Sequence, residues 1–269
     1  MKKVCGVMLD LFFLTLAFIM VFPFLYMLVV SFQETYSPYL LSFDPTDYSL
    51  DNYFLLFQRS GFFLWVRNSF LVSISGVLLT LAICSTAGYA FAKLRFPGND
   101  RIFFFLFAAM AIPFPATVVP LWIIMGKAGI VSTMASLILP VPTFLGVILF
   151  RQAFLSIPGD MIESAKIDGC TDFQTFAAVG LPLVRSTVMS VAIIYFARSW
   201  NSLLWPMIMA GGDYNRTLPV GLAAMQDLYV VNYGLSMAGA VINFLPPFIV
   251  YLLLQKYFIQ GVVSSGLKA

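Results

Sequence analysis

Six long apolar runs dominate this chain: Val7–Val30, Asn68–Ala92, Ile102–Met125, Ser132–Ala153, Ser186–Ala210 and Gly239–Tyr257. Each is near the roughly 20 apolar residues that carry a helix across a bilayer. Hydrophobic residues make up 61% of the chain and charged ones 10%, where a soluble domain carries about 25% charge. The expected fold is all-α: a polytopic membrane protein with six transmembrane helices, in a single domain over residues 1–269. The apolar run behind Lys2-Lys3 is too long for a signal-peptide core and ends without a small-residue cleavage pattern, so no cleaved leader is expected.

Basic residues orient the spans. With the N-terminus inside, the inner segments hold Lys2, Lys3, Lys93, Arg95, Arg101, Arg151, Lys166, Arg185, Lys256 and Lys268. The outer ones hold only Arg59, Arg67, Lys127 and Arg216. Positive charge gathers on the cytoplasmic side, so both termini are expected in the cytoplasm. Outside lie a long segment, Ser31–Arg67, and a second loop, Gly211–Ser236, with Asp213, Arg216 and Asp227. Asp44-Pro45 and Asp47 mark turns in the first, and Leu50–Phe57 reads as a short interfacial helix.

Enzyme chemistry has little to work with. There is no histidine, and Cys5, Cys84 and Cys170 lack metal-ligand spacing. Neither a metal site nor a disulfide is expected. No glycine-rich loop ends in Gly-Lys-Ser/Thr, so this chain is not expected to hold ATP or another cofactor itself, and no nucleic-acid partner is expected. An ion-coupled transporter would need acidic residues within the membrane. Of twelve acids none lies mid-span; Asp10 and Glu34 sit at the ends of the first run. A non-transport membrane scaffold is the other alternative.

Two features inside the spans point to a pathway. Pro113, Pro115 and Pro120 fall in the third run, Pro140 and Pro142 in the fourth, Pro246-Pro247 in the sixth. Each removes a backbone donor and bends its helix. The fifth run carries Arg198, close to Trp200, Asn201 and Trp205. A charge at mid-membrane is costly and faces the bundle interior. Two readings stay open: these residues line a solute path, or Arg198 binds carbonyls freed by a kink while the tryptophans anchor the interface.

The one long polar-rich stretch is Ile157–Pro182, IPGDMIESAKIDGCTDFQTFAAVGLP. It reads as a helix–turn–helix. The first helix runs from about Pro158 to Ile167 with Ser156 as its cap. Gly169 ends it in the left-handed conformation. Thr171 and Gln174 have capping-box spacing for the second helix. Phe173, Phe176, Ala177 and Gly180 share a stripe of it, and Pro182 closes the stretch.

These residues resemble the cytoplasmic signature of bacterial ABC importer permease subunits: Glu-Ala-Ala, three residues, Gly, nine residues, Ile, one residue, Leu-Pro. Glu163, Ala165, Gly169, Leu181 and Pro182 match at that spacing, with Ser164 and Val179 as substitutions. Asp168 and Ile157-Pro158 are similar to the carbohydrate branch of the maltose type. So are Gly88–Lys93, Asn68-Ser69 and the Trp-Asn and Trp-Pro pairs at Trp200-Asn201 and Trp205-Pro206. The resemblance implies half of a translocation path for a sugar or sugar-like solute, in the inner membrane of a bacterial cell. It implies four kinds of partner: the lipid bilayer, a second homologous permease subunit, two copies of an ATP-binding subunit that hold ATP and Mg, and an extracytoplasmic solute-binding protein touching the outer segments. Residues 157–182 would be the ATPase-coupling loop, acting through Glu163, Ser164, Ala165, Asp168, Gly169, Leu181 and Pro182. Arg198, Trp200, Asn201 and Trp205 would line the path. No role carries over to the tail, Gln255–Ala269.

Overall fold

The computed structural model describes residues 2–37, 41–225 and 232–266. Its elements are α1 (Lys2–Val30), α2 (Asp51–Gln58), α3 (Phe62–Lys93), α4 (Asn99–Ala109), α5 (Phe114–Lys127), α6 (Met134–Ile138), α7 (Phe144–Leu155), α8 (Gly159–Ile167), α9 (Asp172–Thr175), α10 (Leu181–Leu183), α11 (Arg185–Trp200), α12 (Leu204–Met209), α13 (Leu218–Ala224) and α14 (Tyr233–Gly266). A π turn, Phe176–Gly180, joins α9 to α10. Among the described residues the only strand-like pairing is one bridge between Gln33 and Tyr48. The all-α expectation holds. Asp227 and Lys268 lie outside the described residues.

The six apolar runs are not six uninterrupted helices. Among the described residues three helices cross-length and apolar enough stand unbroken: Met8–Val30, Phe62–Lys93 and Tyr233–Lys256. The second begins six residues before the expected Asn68. The runs expected as single spans at Ile102–Met125, Ser132–Ala153 and Ser186–Ala210 are each divided: α4 from α5, α6 from α7, α11 from α12. Proline explains each break, because its ring collides with the carbonyl four residues back. For Pro113 that carbonyl is Ala109, the last residue of α4, which accepts instead from Ile112 N at 3.2 Å. The path turns by 105° there. Pro140 and Pro142 act on Ser136 and Ile138, where α6 ends. Pro206 acts on Ser202, in the gap before α12. Pro246-Pro247 and Pro23, by contrast, sit within continuous α14 and α1.

The chain forms two compact units, residues 1–63 with 221–245 and residues 64–220 with 246–269. The first unit is tied by amides where α1 ends and α14 begins. Buried Asn52 on α2 donates to Ser31 O at 3.0 Å and Gln33 O at 2.9 Å. Tyr233 N, at the start of α14, donates to Thr35 O at 2.8 Å. Gly234 is required here, since a Cβ would sit 1.9 Å from Gln33 O. The expected interfacial helix is α2, with Phe54, Leu55 and Phe57 exposed and Leu56 buried. Asp44 caps the turn at Pro45–Asp47, accepting from Thr46 N at 3.0 Å. That bond, seconded by the Thr46 hydroxyl, holds the Asp44 carboxyl below its usual range.

The second unit is built on the crossing of α3 and α7. Its core gathers Cys84 and Tyr89 of α3, Val147, Phe150 and Phe154 of α7, and Val191 and Tyr195 of α11. Lipid supplies no hydrophobic drive for helices to associate, so close packing of small residues must do it. Gly88 provides that closeness: a Cβ there would lie 2.6 Å from Phe150 Cβ and 2.9 Å from Arg151 N. Gly146 on α7 meets Cys84 in the same manner, at 2.8 Å. Gly88→Ala is therefore expected to lower the stability of the detergent-purified protein by about 1–3 kcal/mol through overpacking. Gly159→Ala, where a Cβ meets nothing within 4 Å, should stay within about 0.5 kcal/mol of the parent in the same thermal-unfolding assay.

Candidate functional site

The Ile157–Pro182 stretch folds as the expected hairpin. Helix α8 ends at Ile167 with Asp168 as its cap, and Gly169 follows with φ +86°. Gly169 N returns to Lys166 O at 3.0 Å and Cys170 N to Ala165 O at 3.0 Å, a glycine-based helix stop. The capping box opens α9: Gln174 N donates to Thr171 Oγ1 at 3.3 Å, and Thr171 N to Gln174 Oε1 at 2.8 Å. Lys166 and Asp172 close the hairpin across its mouth at 2.7 Å. Hydrogen bonding to Asp172 holds the Lys166 ammonium above its usual range, and Glu163 adds to this. Both partners are solvent-exposed, so water screens the pair and it adds little to stability.

Three local expectations are corrected. Ser156 does not cap α8; its hydroxyl donates to Ala153 O at 2.8 Å, closing α7 instead. Pro182 does not close the stretch. The π turn absorbs it: Leu181 N reaches five residues back to Phe176 O, and the helix runs on through Leu183 before bending 80° into α11. That same extra residue rotates the buried face. Thr175, Phe176 and Gly180 are buried, while Phe173 is 70% exposed and Ala177 is exposed.

The hairpin has an inner and an outer face. Ile157, Ile162, Ala165 and Phe176 are buried, and the first two and Phe176 join the core of the second unit. The Phe176 ring lies 5.3 Å from Tyr89 and 6.1 Å from Phe154. Lys93 Nζ, at the end of α3, donates to Ile157 O at 2.7 Å. Outward face Glu163, Ser164 and Asp168, together with Ile167 at 86% exposure. Of the two small residues, Ala165 thus packs on the hairpin's own base and Ser164 stands on the open side. Lys93, Arg95, Glu163, Lys166 and Asp172 line a groove of about 640 Å³ beside α8.

A second hollow, about 160 Å³, lies among α5, α6, α11 and α12. Of the four residues expected along a path, Arg198 and Trp205 line this hollow. Trp200 does not: it is 1% exposed, with its ring 4.7 Å from Phe70 and 5.7 Å from Phe196. Asn201 is exposed at the end of α11, and its amide donates to Ala197 O at 2.9 Å. Trp205 Nε1 donates to Ser136 O at 2.8 Å, the carbonyl that Pro140 leaves without a helical partner. Sequence reasoning missed Tyr195. Its hydroxyl accepts from Gly146 N at 2.9 Å, near the start of α7, and bonds Thr143 Oγ1 at 2.5 Å. The signal was present: Tyr195, Arg198, Ser199 and Ser202 recur at one-face helical spacing through the end of α11. Asn68-Ser69 also gain a structural account. Buried Asn68 donates to Tyr214 O and Arg216 O at 2.8 and 2.9 Å, and Ser69 Oγ accepts from Leu218 N at 2.7 Å.

A family model described as the binding-protein-dependent transport system inner membrane component matches residues 84–264. The chain belongs to that family. This permease is 35% identical over 267 residues to the arabinooligosaccharides transport system permease protein AraQ of Halalkalibacterium halodurans, covering 97% of this chain and 96% of that one. It is 31% identical over 251 residues to the lactose transport system permease protein LacG of Rhizobium radiobacter, covering 93% and 92%. Its fold is similar to a chain of a bacterial ABC transporter involved in the import of the acidic polysaccharide alginate, with TM-score 0.82, 21% identity, and coverage of 96% and 97%. The permease is thus a multi-pass inner-membrane component of a binding-protein-dependent importer.

Tyr195→Phe should cost this permease about 0.5–1.5 kcal/mol, because the Thr143 hydroxyl loses its partner and Gly146 N–H keeps only its bond to Thr143 O. Tyr36→Phe, on an exposed ring, should leave thermal unfolding unchanged in the same assay.

Proposed function

We propose that this permease forms half of the translocation path for a sugar or sugar-like solute and takes its energy from ATP hydrolysed by separate subunits. The observation that carries the reading is the hairpin: rooted in the core by Ile162 and Phe176, yet presenting Glu163, Ser164, Ile167, Asp168 and Phe173 to solvent. An exposed apolar pair beside a carboxylate is the composition of a docking surface, with anchors at its centre and charge at its rim. Its partner is an ATP-binding subunit, two copies of which hold ATP and Mg; Glu163 meets a basic residue there, where desolvation strengthens a charge-assisted bond. Gly169, Leu181 and Pro182 shape the hairpin rather than touch the partner. The ten-to-four asymmetry of basic residues supports a cytoplasmic hairpin and cytoplasmic termini.

A second permease subunit completes the path, and a solute-binding protein delivers the solute from outside. The arabinooligosaccharide and lactose permeases among the relatives support a carbohydrate cargo. Because α9 and α10 continue through the π turn into the 80° bend before α11, a push on the hairpin reaches the helix that bears Arg198. A few residues at that bend, Val184 among them, serve as the hinge.

The test is paired. Glu163→Lys reverses the docking charge, and Gly169→Pro is incompatible with φ +86°. Membrane levels of both variants should match the parent, since the spans are untouched. Binding-protein-stimulated ATP hydrolysis by the assembled importer should fall at least about tenfold, the loss of one buried charged bond. Normal stimulation in both variants would refute the coupling role and, with it, a cytoplasmic hairpin within reach of the ATPase.

A further inference from the structure

The hollow at the end of α11 holds two polar groups that the chain itself leaves unanswered. Ser199 is 92% buried by its 8% exposure, and its hydroxyl has no hydrogen-bond partner among the described residues. Other buried hydroxyls, those of Ser73, Thr175 and Thr217 among them, also lack a partner, but Ser199 is the one that lines this hollow and is open to a bound group. Arg198, one residue earlier, stacks its guanidinium 5.7 Å from the Tyr195 ring. Neither ion pair found among the described residues involves it. Tyr195 OH is committed to Gly146 and Thr143, and Trp205 Nε1 to Ser136, while half-buried Ser202 adds a further hydroxyl to the wall. What remains for a ligand is a cation that only donates, a free hydroxyl, and the apolar surfaces of Trp205, Phe114 and Pro140.

We propose that this cavity is a subsite for one acidic sugar unit, its carboxylate or phosphate received by Arg198 and its ring resting on Trp205. This rests on the importer reading and names the chemical class of its cargo. The charge sets the class. Guanidinium offers five N–H donors in a fixed fork and accepts nothing, so its match is an anionic acceptor with two oxygens. Arg198 is exposed rather than enclosed by apolar side chains, so what favours an anion is the charge-assisted, two-oxygen pair it forms with the fork, where a neutral hydroxyl accepts one bond. Ser199 then donates to a ring or glycosidic oxygen. The apolar ring edge of a pyranose suits the aromatic side, which keeps no free donor of its own. Size sets the length: about 160 Å³ falls below the roughly 300–1,000 Å³ that enclose a drug-sized ligand, so one unit of a chain fits at a time.

The experiment uses the full chain in lipid nanodiscs and follows tryptophan fluorescence during titration with digalacturonate, galactose 1-phosphate and lactose. At least one anionic probe should bind roughly tenfold or more tightly than lactose, as expected for a charge-assisted pair. The stronger of the two identifies the anion as carboxylate or phosphate. Arg198→Gln should abolish the preference, Arg198→Lys should keep most of it, and Ser199→Ala should weaken the anionic probe about threefold. Equal affinity for all three probes, no binding by any, or a preference that survives Arg198→Gln would overturn the proposal. So would a carboxylate of the second permease pairing with Arg198, seen as loss of assembly in Arg198→Gln without loss of probe preference. Failure of the importer reading looks different: the parent complex would then show no binding-protein-stimulated ATP hydrolysis, whatever the probes do.

Discussion

A helix in lipid can leave no backbone group unbonded, because no water is there to take its place. This permease breaks three of its spans with proline and answers that constraint at the breaks around Pro113, Pro140 and Pro142. It does so with side chains from other elements and with tightened turns. Ser136 O, freed by Pro140, receives the indole N–H of Trp205. Gly146 N, at the start of α7, donates both to Thr143 O within its own turn and to the Tyr195 hydroxyl of α11. Ala109 O and Ile138 O are taken by amides three residues on, Ile112 and Val141. Ile157 O, beyond the end of α7, receives the Lys93 ammonium. The breaks are joints with fixed partners.

The joints explain how the small hairpin can act on the hollow at the end of α11. Its base is packed on Tyr89 and Phe154, aromatic residues of α3 and α7. Its second helix passes Pro182 on a π turn and continues to the bend before α11. That helix ends in the face carrying Tyr195, Arg198 and Ser199. Close packing at Gly88 and Gly146 leaves little slack between the hairpin's base and this face. Packed interfaces of this kind shift between discrete arrangements rather than deforming smoothly.

Much of this was legible in the residues. Hydropathy placed the apolar runs, the spacing of Glu163, Gly169, Leu181 and Pro182 placed the hairpin, and Thr171 with Gln174 fixed the start of its second helix. The proline positions foretold bent spans but not how completely they divide, because the outcome depends on whether a neighbour can bond the freed carbonyl. Pro246-Pro247 stay within a helix while Pro140 and Pro142 end one. The π turn left no trace in periodicity, so the stripe assigned to Phe173 and Ala177 came out on the wrong side. Tyr195, Lys93 and Asn68 act on backbone groups between 49 and 148 residues away in sequence. No local pattern encodes such distances. Of the four residues expected along the path, Arg198 and Trp205 line the hollow, while Trp200 is buried against Phe70 and Phe196.

The central claim is that the proline breaks are bonded joints, and hydrogen–deuterium exchange of the permease in nanodiscs tests it directly. The amide of Gly146, held by a side chain from α11, should exchange as slowly as the amides in the middle of α3, within about tenfold. The exposed turn at 95–98 gives the scale for an open segment. Exchange at Gly146 as fast as in that turn would show the break to be a loose loop and contradict the account.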